Sequence, residues 1–189
     1  MNIADFTDHK DIQDGIASLQ NIKVSDITDA EGHQYVDLVQ EGGGVLGIAL
    51  VGYTYVLEQA GIRFLGIGGT SAGSINALMI AALGAPAEAK SAKLLAALAD
   101  MPMAEFIDGD SDARDFSNAM LEKARMIKLL FKGMQVMDNL KEDLGLNPGT
   151  RFLDWLSGEL HKAGIATNAD LQARLRTKPK GLRRRDGSV

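Results

Sequence analysis

Hydrophobic and polar positions alternate along QYVDLVQ, residues 34–40, and this pattern predicts a strand. Apolar residues recur at helical spacing in IALVGYTYVLEQAG, residues 48–61, which predicts a helix with Gly61 at its C-terminal cap. The continuous apolar run IRFLGIGG predicts a second strand, covered on both faces, and SINALMIAALG predicts a buried helix that ends at Gly84. Strand, loop and helix thus occur twice in succession, which predicts an α/β fold with parallel strands.

The pattern after Gly84 changes to a helical one. We expect helices at residues 86–100, 116–145 and 150–164, and a short helix whose capping box pairs Thr167 with Asp170. Because no strand is predicted in this half, the predicted parallel sheet has only two strands, which is undersized for such a fold.

The beginning of the chain differs from the rest in composition. Residues 1–33 are polar and acidic, and we interpret them as a lead-in with a short helix and a hairpin turn. The predicted organisation is therefore a lead-in at residues 1–33 and one domain at residues 34–189.

Composition narrows the classes of function. The chain has 189 residues, a net charge of −5 and no cysteine, which argues against a nucleic-acid partner and excludes disulfides and thiolate metal sites. No cluster of histidine and carboxylate residues has metal-ligand spacing, so we expect no metal and no other cofactor. A basic and apolar signal segment is absent, and the longest apolar stretch, residues 77–83, is far shorter than the ~20 residues that span a bilayer. We expect a cytoplasmic protein, with export by a route without a signal left open.

The segment Gly69-Thr70-Ser71-Ala72-Gly73 matches the pattern G-x-S-x-G between the second predicted strand and the helix that follows it. A serine at such a sharp strand-to-helix turn is exposed for attack on an acyl carbon, and the turn requires small residues two positions away on either side. The N-terminus of the following helix favours the negative charge that develops during acyl transfer. Ser71 is therefore a candidate nucleophile, and a tight corner of small residues is the alternative interpretation.

The segment EGGGVLG places Gly42, Gly43 and Gly44 directly after the first predicted strand. Glycines at this point let backbone N–H groups face a developing oxyanion. The same segment fits the dinucleotide pattern G-x-G-x-x-G, which expects an acidic residue at the end of the next strand. That strand, IRFLGIGG, has none, and Glu58 lies on the helix before it. The pattern favours an oxyanion loop over a dinucleotide site, with a close packing turn as the third interpretation.

The two glycine segments, at this short spacing, resemble the patatin-like phospholipase family, strongly over residues 35–84 and loosely beyond them. The resemblance implies a three-layer α/β/α fold with a parallel sheet, and a Ser–Asp dyad without histidine that hydrolyses acyl esters of lipids. It makes Ser71 the nucleophile between the elbow glycines Gly69 and Gly73. The oxyanion and substrate-binding segment that it implies comprises Gly42, Gly43, Gly44, Val45 and Gly47, with the N–H groups of Gly43 and Gly44 as the principal donors. Leu46 departs from the family, which usually has arginine or lysine there.

The dyad aspartate is the part of this pattern with no clear match. In the family it comes from an Asp-Gly pair late in the domain, after further strands. Asp108-Gly109 lies between predicted helices, and we interpret it as a solvated turn. Asp186-Gly187 follows the segment GLRRR at the end of the sequence, which is a poor mount for a base, and Asp186 is kept as the remaining candidate. We expect the chain to be the N-terminal portion of the domain, without its base.

Histidine does not supply the base in this prediction, since His9, His33 and His161 are all expected at the surface. The predicted function is lipid acyl hydrolysis. The alternatives are a carboxylesterase for small soluble esters and a non-catalytic interaction module made from a truncated fold. The predicted partners are a lipid or ester substrate and a membrane surface. We interpret the basic segment at residues 174–185 as a solvated, mobile tail, and a sheet with few strands predicts self-association through its exposed edge.

Overall fold

The structure, a computed structural model, describes residue 4 and residues 7–43, 47–109 and 147–188. Within these residues the strands are β1 (Ile27–Thr28), β2 (Gln34–Gln40), β3 (Ile62–Gly69) and β4 (Arg183–Arg184). The helices are α1 (Lys10–Leu19), α2 (Gly47–Gln59), α3 (Ala72–Ala82), α4 (Ser91–Ala99), α5 (Thr150–Lys162) and α6 (Asn168–Leu175), with a 3-10 turn at Met103–Phe106. The helix predicted at residues 116–145 lies outside the described residues, and the helix predicted at residues 86–100 begins only at Ser91.

The four strands form one sheet in the order β3-β2-β1-β4. β2 and β3 are parallel, in register from Gln34 opposite Ile62 to Gln40 opposite Gly69, which confirms the predicted parallel pair. β1 pairs antiparallel with β2 and with β4, so the sheet is mixed. The antiparallel strands β1 and β4 were not predicted, because a strand of two residues carries no periodicity from which it could be predicted.

The hydrophobic core lies between the parallel strands and the helices α2 and α3 that pack on them. Its largest fully buried side chains include Phe64 of β3 and Met79 and Ile80 of α3. Burial of β3 ends at Leu65, which is 38% exposed, so the prediction that this strand is covered on both faces holds only for its first half. Since β3 is an edge of the described sheet, self-association through that edge stays a prediction.

Two predicted helix ends are confirmed by their backbone geometry. Gly61 follows α2 with a φ of +78°, the left-handed conformation that ends helices and favours glycine. Thr167 and Asp170 form a complete capping box at the start of α6. The Asp170 carboxylate accepts from the Thr167 N–H at 2.8 Å, and the Thr167 hydroxyl accepts from the Asp170 N–H at 3.2 Å. Local capping chemistry therefore fixes both ends as the sequence predicts.

Glu58 of α2 is buried, with 4% of its surface exposed, and it caps the N-terminus of a different helix. Its Oε1 accepts from the Lys90 N–H at 2.7 Å and its Oε2 from the Ser91 N–H at 2.9 Å. The carboxylate thus satisfies two backbone donors at the start of α4 and lies at the positive end of that helix. This acid therefore joins α2 to α4.

Replacing Glu58 with alanine is expected to destabilise the fold by about 2 kcal/mol, because two buried N–H groups lose a charged acceptor. The measurement is the free energy of unfolding in urea. Gln59→Ala, at the exposed neighbouring position, is the matched control and is expected to change stability by less than about 0.5 kcal/mol. Equal stability of the two variants would show that Glu58 does not hold α4.

A buried polar cluster stabilises the hairpin that joins β1 to β2. The Asp29 carboxylate accepts from the Tyr35 hydroxyl at 2.8 Å and lies 2.9 Å from Nδ1 of His33. Nε2 of His33 faces the Arg63 guanidinium at 3.2 Å, which fits the tautomer with its proton on Nδ1 because arginine can only donate. Burial raises the pKa of Asp29, but the hydrogen bonds from His33 and Tyr35 outweigh it and lower that pKa below its usual value. The predicted hairpin turn is confirmed, and His33, predicted at the surface, is half-buried, with 19% of its side chain exposed.

The basic segment near the end of the chain is bound to the sheet and to α3. Arg183 and Arg184 pair with β1, and the Arg185 guanidinium donates to the Ser25 carbonyl at 2.8 Å. The Arg174 guanidinium donates to the carbonyl of Ala82 at the C-terminus of α3, and the negative end of that helix favours a cation there. The interpretation as a mobile tail was therefore wrong. These arginines donate to backbone carbonyls that are distant in sequence, and the charge pattern of the segment does not predict such hydrogen bonds.

The chain divides into two compact units, one at Met1–Ala99 with Leu160–Val189 and one at Asp100–Glu159. In the described part of the second unit, the rings of Phe106, Phe152 and Trp155 pack with centroids 5.4 to 5.9 Å apart. These aromatic contacts give that unit a hydrophobic cluster of its own. The predicted boundary between residues 33 and 34 stays a prediction, and β1 of the predicted lead-in pairs with β2 of the predicted domain.

The Asp108-Gly109 pair belongs to the second unit, where it contacts the start of a helix. The Asp108 carboxylate accepts from the Arg151 N–H at 3.0 Å and the Gly149 N–H at 3.1 Å, at the start of α5. The hydrogen bond from the backbone N–H of Arg151, together with that from the backbone N–H of Gly149, lowers the pKa of Asp108 below its usual value. Gly109 is buried, and its N–H donates to the Asn147 side chain at 3.0 Å. The sequence does not reveal that this aspartate caps a helix that begins some 40 residues further along the chain.

Candidate active site

Ser71 lies at the sharp turn between the end of β3 and the start of α3, as the G-x-S-x-G spacing predicts. Its φ is +50° and its ψ is −126°, and it is the only non-glycine residue with a positive φ in the described part of the chain. Such a conformation costs about 1 to 3 kcal/mol, and it persists only where the surrounding structure enforces it. The residue is exposed, and its side chain makes no capping hydrogen bond to α3. The turn therefore presents a strained, accessible hydroxyl group.

The two glycines of the motif are required by close backbone approaches. A Cβ atom on Gly69 would lie 2.2 Å from the carbonyl oxygen of Gly73, and one on Gly73 would lie 2.3 Å from the carbonyl oxygen of Gln40. Real Cβ atoms essentially never come this close to backbone atoms. The chain can therefore fold back from β3 into α3, beside the end of β2, only with glycine at both positions.

The glycine loop after β2 approaches the same turn from the other side. A Cβ atom on Gly42 would lie 2.3 Å from the Cβ of Ser71 and 3.0 Å from its hydroxyl oxygen. Gly47 is the first residue of α2, and a Cβ atom on it would lie 2.7 Å from the Cβ of Ala72. Its carbonyl oxygen accepts a hydrogen bond from the Asn76 side chain at 3.1 Å. Both described ends of the loop therefore lie against the serine turn.

The residues predicted for the site are mostly brought together. Ser71, Gly42, Gly47, Gly69 and Gly73 meet at the carboxyl ends of β2 and β3, where ligands bind in open α/β sheets. Gly43 is described and exposed. The predicted Gly44 and Val45, with Leu46, lie outside the described residues. The N-terminus of α3, whose positive end lies at Ser71, and the loop glycines could together surround an anionic group.

Gln40 is a buried residue of this site that the motifs do not reveal. Its carbonyl accepts from the Thr70 N–H at 3.0 Å, which ties the end of β2 to the serine turn. The side chain is 3% exposed, and its amide nitrogen and oxygen have no hydrogen-bond partner among the described residues. The available signal is a glutamine at an inward position of an alternating strand, directly before a glycine loop.

Among the described residues predicted for the site, Asp186 lies apart from Ser71. It follows β4, which pairs with β1, and β1 in turn pairs with Gln34 at the start of β2. Ser71 lies beyond the other end of β2, about 20 Å away along a strand of seven residues. The Asp186 carboxylate accepts from the Ser188 N–H at 2.9 Å and from the Ser188 hydroxyl at 2.8 Å. The bond from the N–H has the larger effect, and both lower the pKa of Asp186 below its usual value. Asp186 thus lies near the opposite end of β2 from Ser71, and its role as the base stays a prediction.

Two further properties of the described residues concern metal ions and membranes. The part of the chain that the structure describes contains no group of three or more histidine, aspartate or glutamate residues that could hold a metal ion. Among the same residues, no helix combines the length and the apolar character needed to cross a membrane.

An α/β fold with an exposed serine at a strained strand-to-helix turn, beside a glycine loop, is the arrangement of serine hydrolases that transfer acyl groups. The model of the family described as "Patatin-like phospholipase" matches residues 38–185. The chain therefore belongs to the patatin-like phospholipase family, a family of lipid hydrolases, and its α/β architecture is consistent with the three-layer fold expected from the resemblance.

Among curated proteins, the chain is similar to the uncharacterized protein YqhO of Bacillus subtilis (strain 168), with 34% identity over 140 residues. That alignment covers 73% of this chain and 40% of YqhO, so the chain spans less than half the length of this relative. No solved structure matches the chain.

Proposed function

We propose that the chain carries the nucleophile and the oxyanion loop of a serine lipid acyl hydrolase. The observation that carries this proposal is the conformation of Ser71, a non-glycine residue at φ +50° on an exposed turn. A tight packing corner does not need a serine in that conformation, since glycine would occupy it without strain. A hydroxyl group that must stay exposed for attack supplies the reason for the strain.

In the proposed reaction, the Ser71 hydroxyl oxygen attacks the carbonyl carbon of an ester and its proton passes to a base. The N–H groups of Gly43 and Gly44, with Gly42 and Val45 beside them, donate to the oxyanion of the tetrahedral intermediate. The carbon–oxygen bond to the leaving alcohol then breaks, and the alcohol takes up the proton. Water hydrolyses the resulting acyl-serine and releases a carboxylic acid. The positive end of α3 supports the negative charge in both steps.

The proposed reaction requires a base that accepts the proton of the Ser71 hydroxyl. A Ser–Asp dyad requires a carboxylate within hydrogen-bond reach of Ser71, and Asp186 lies at the far end of the sheet. We therefore assign the base to none of the described residues.

Lipid esters are the proposed substrates because the chain belongs to a phospholipase family. A lipid surface is accordingly the proposed partner, and a cytoplasmic location is part of the proposal. Hydrolysis of small soluble esters is the second candidate, favoured by the exposure of Ser71, which lets a free ester reach the hydroxyl without a surface.

A fluorophosphonate probe tests the nucleophile directly. We expect covalent labelling of the intact chain, located by mass spectrometry to the peptide that contains Ser71, because such probes react with activated serine hydroxyls. Labelling at another serine, or none at all, would contradict the proposal. Comparing dispersed with micellar esters of equal acyl length then separates the two substrate classes, since a lipid hydrolase is expected to prefer the micellar form.

A further inference from the structure

A cavity of about 190 Å³ lies beside β3, away from the serine turn. Its walls come from β3, from the C-terminal half of α3 and from the segment that follows α6. Ile80, which lines it, lies nine residues after Ser71 along α3, a distance of about 14 Å at the helical rise. The cavity is therefore separate from the candidate active site.

Most of this wall is apolar, with side chains such as Phe64, Ile67, Ile80 and Leu182. Apolar cavities of about 150 Å³ hold a molecule of the size of benzene. The volume beside β3 is thus large enough for a short alkyl segment.

Lys90 contributes a buried amine to the same wall. The residue is only 2% exposed, and its side chain has no ion-pair partner within 4.0 Å among the described residues. Both oxygens of the nearby Glu58 carboxylate are occupied by the N–H groups of Lys90 and Ser91. A cation in this position has lost most of its contact with water and has no direct counter-ion among the described residues, so an anion that joined it would stabilise it.

Charged groups of both signs surround the Lys90 amine. Glu58 and Glu88 favour its protonated form, whereas Arg63 and Lys93 oppose it, and Arg174 and Lys178 add positive charge to the cavity wall. Burial has the largest effect and lowers the pKa of Lys90 to about 8. At neutral pH the amine is thus mainly charged, and a bound anion would hold it so.

We propose that the cavity beside β3 binds a single-chain alkyl anion, with the anionic group on the Lys90 amine and the alkyl chain along Phe64, Ile67 and Ile80. We infer the alkyl chain of the ligand from the apolar wall, and its negative charge from the buried Lys90, which has no ion-pair partner among the described residues. A fatty carboxylate and an alkyl phosphate monoester share this chemistry. The inference rests on the cavity alone and does not require Ser71 to act as a nucleophile.

Calorimetric titration of the full chain with octanoate, octyl phosphate and octanol tests this site. At pH 7 we expect at least one of the two anions to bind about tenfold or more tightly than octanol, because only an anion satisfies the amine. A preference between octanoate and octyl phosphate identifies the anionic group that the site is built for. Octanol binding as tightly as both anions, or no binding of either anion, would overturn the proposal.

Two variants and one change of pH locate the charge. Lys90→Met is expected to remove the preference for the anion, whereas Lys93→Met, which replaces an exposed lysine three residues further along in α4, is expected to keep it. Raising the pH of the unaltered chain from 7 to 9.5 is expected to weaken anion binding and to leave octanol binding unchanged, because the amine loses its proton. An anion preference that survives both Lys90→Met and pH 9.5 would contradict the site. Fluorophosphonate labelling at Ser71 is measured separately, so each proposal can fail alone.

Discussion

Replacing Ser71 with alanine is expected to lower the rate of fluorophosphonate labelling by at least about 10³-fold, because alanine has no oxygen with which to attack the probe. The turn itself should survive, since the change removes only an exposed hydroxyl group that does not cap α3. The measurement is the pseudo-first-order rate of labelling, followed by intact mass.

Ser74→Ala provides the matched control. Ser74 is also exposed, lies three residues further along the chain and donates its hydroxyl to the Ser71 carbonyl at 2.6 Å. The same chemical change at this position is expected to keep labelling within about threefold, since only a neutral hydrogen bond is lost. Labelling of Ser71→Ala at the rate of the unaltered chain would remove Ser71 from the reaction.

Ser71→Gly adds a second readout that depends on backbone strain. It removes the same hydroxyl group as alanine does, but glycine adopts a φ of +50° without steric cost. The glycine variant is therefore expected to be more stable than the alanine variant by about 1 kcal/mol in urea unfolding, while both lose labelling. A stability gain with loss of reactivity is the signature of strain that is maintained for function.

Local signals made the serine turn and its surroundings predictable from the sequence. Gly69 is needed because the backbone of Gly73, four residues further along, lies against it, whereas Gly73 is needed because the carbonyl of Gln40 at the end of β2 lies against it. The alternation of QYVDLVQ and the apolar run of IRFLGIGG predict the two strands that meet there. Because the motif, the strands and the helix all depend on short-range geometry, the sequence alone identifies the parallel pair and the exposed serine.

Long-range partners explain what the sequence did not reveal. β4 pairs with β1 although 155 residues separate Thr28 from Arg183, and each of these strands is only two residues long. Glu58 and Lys90 look like surface residues in the sequence, but tertiary packing buries both. The two Asp-Gly pairs look alike, yet Asp108 caps α5 while Asp186 binds its own neighbour Ser188. In each case the deciding contact depends on the folded chain, which a local pattern does not encode.

Gly69→Ala is expected to disrupt the serine turn more strongly than any other single-methyl change in the site. Its new methyl group would lie 2.2 Å from the Gly73 carbonyl oxygen and 2.3 Å from the carbonyl carbon. Both are backbone atoms, so no side chain can rotate away, and the start of α3 must shift. We expect a loss of about 4 kcal/mol in unfolding free energy, at the upper end for a single substitution, and at least about 10²-fold slower labelling of Ser71.

Gly68→Ala, one residue earlier in β3, separates this steric cause from a general intolerance of the strand. A Cβ atom at position 68 would meet only a methyl group of Val39, at 4.0 Å, which is an ordinary contact, and Gly68 has no positive φ that would strain alanine. The variant is therefore expected to keep its labelling rate and to be as stable as the unaltered chain or slightly more so, since alanine loses less backbone entropy than glycine on folding. If Gly68→Ala and Gly69→Ala behave alike, the close approach at Gly73 does not shape the turn. If only Gly69→Ala fails, the reactivity of Ser71 depends on a backbone path that a single methyl group is enough to block.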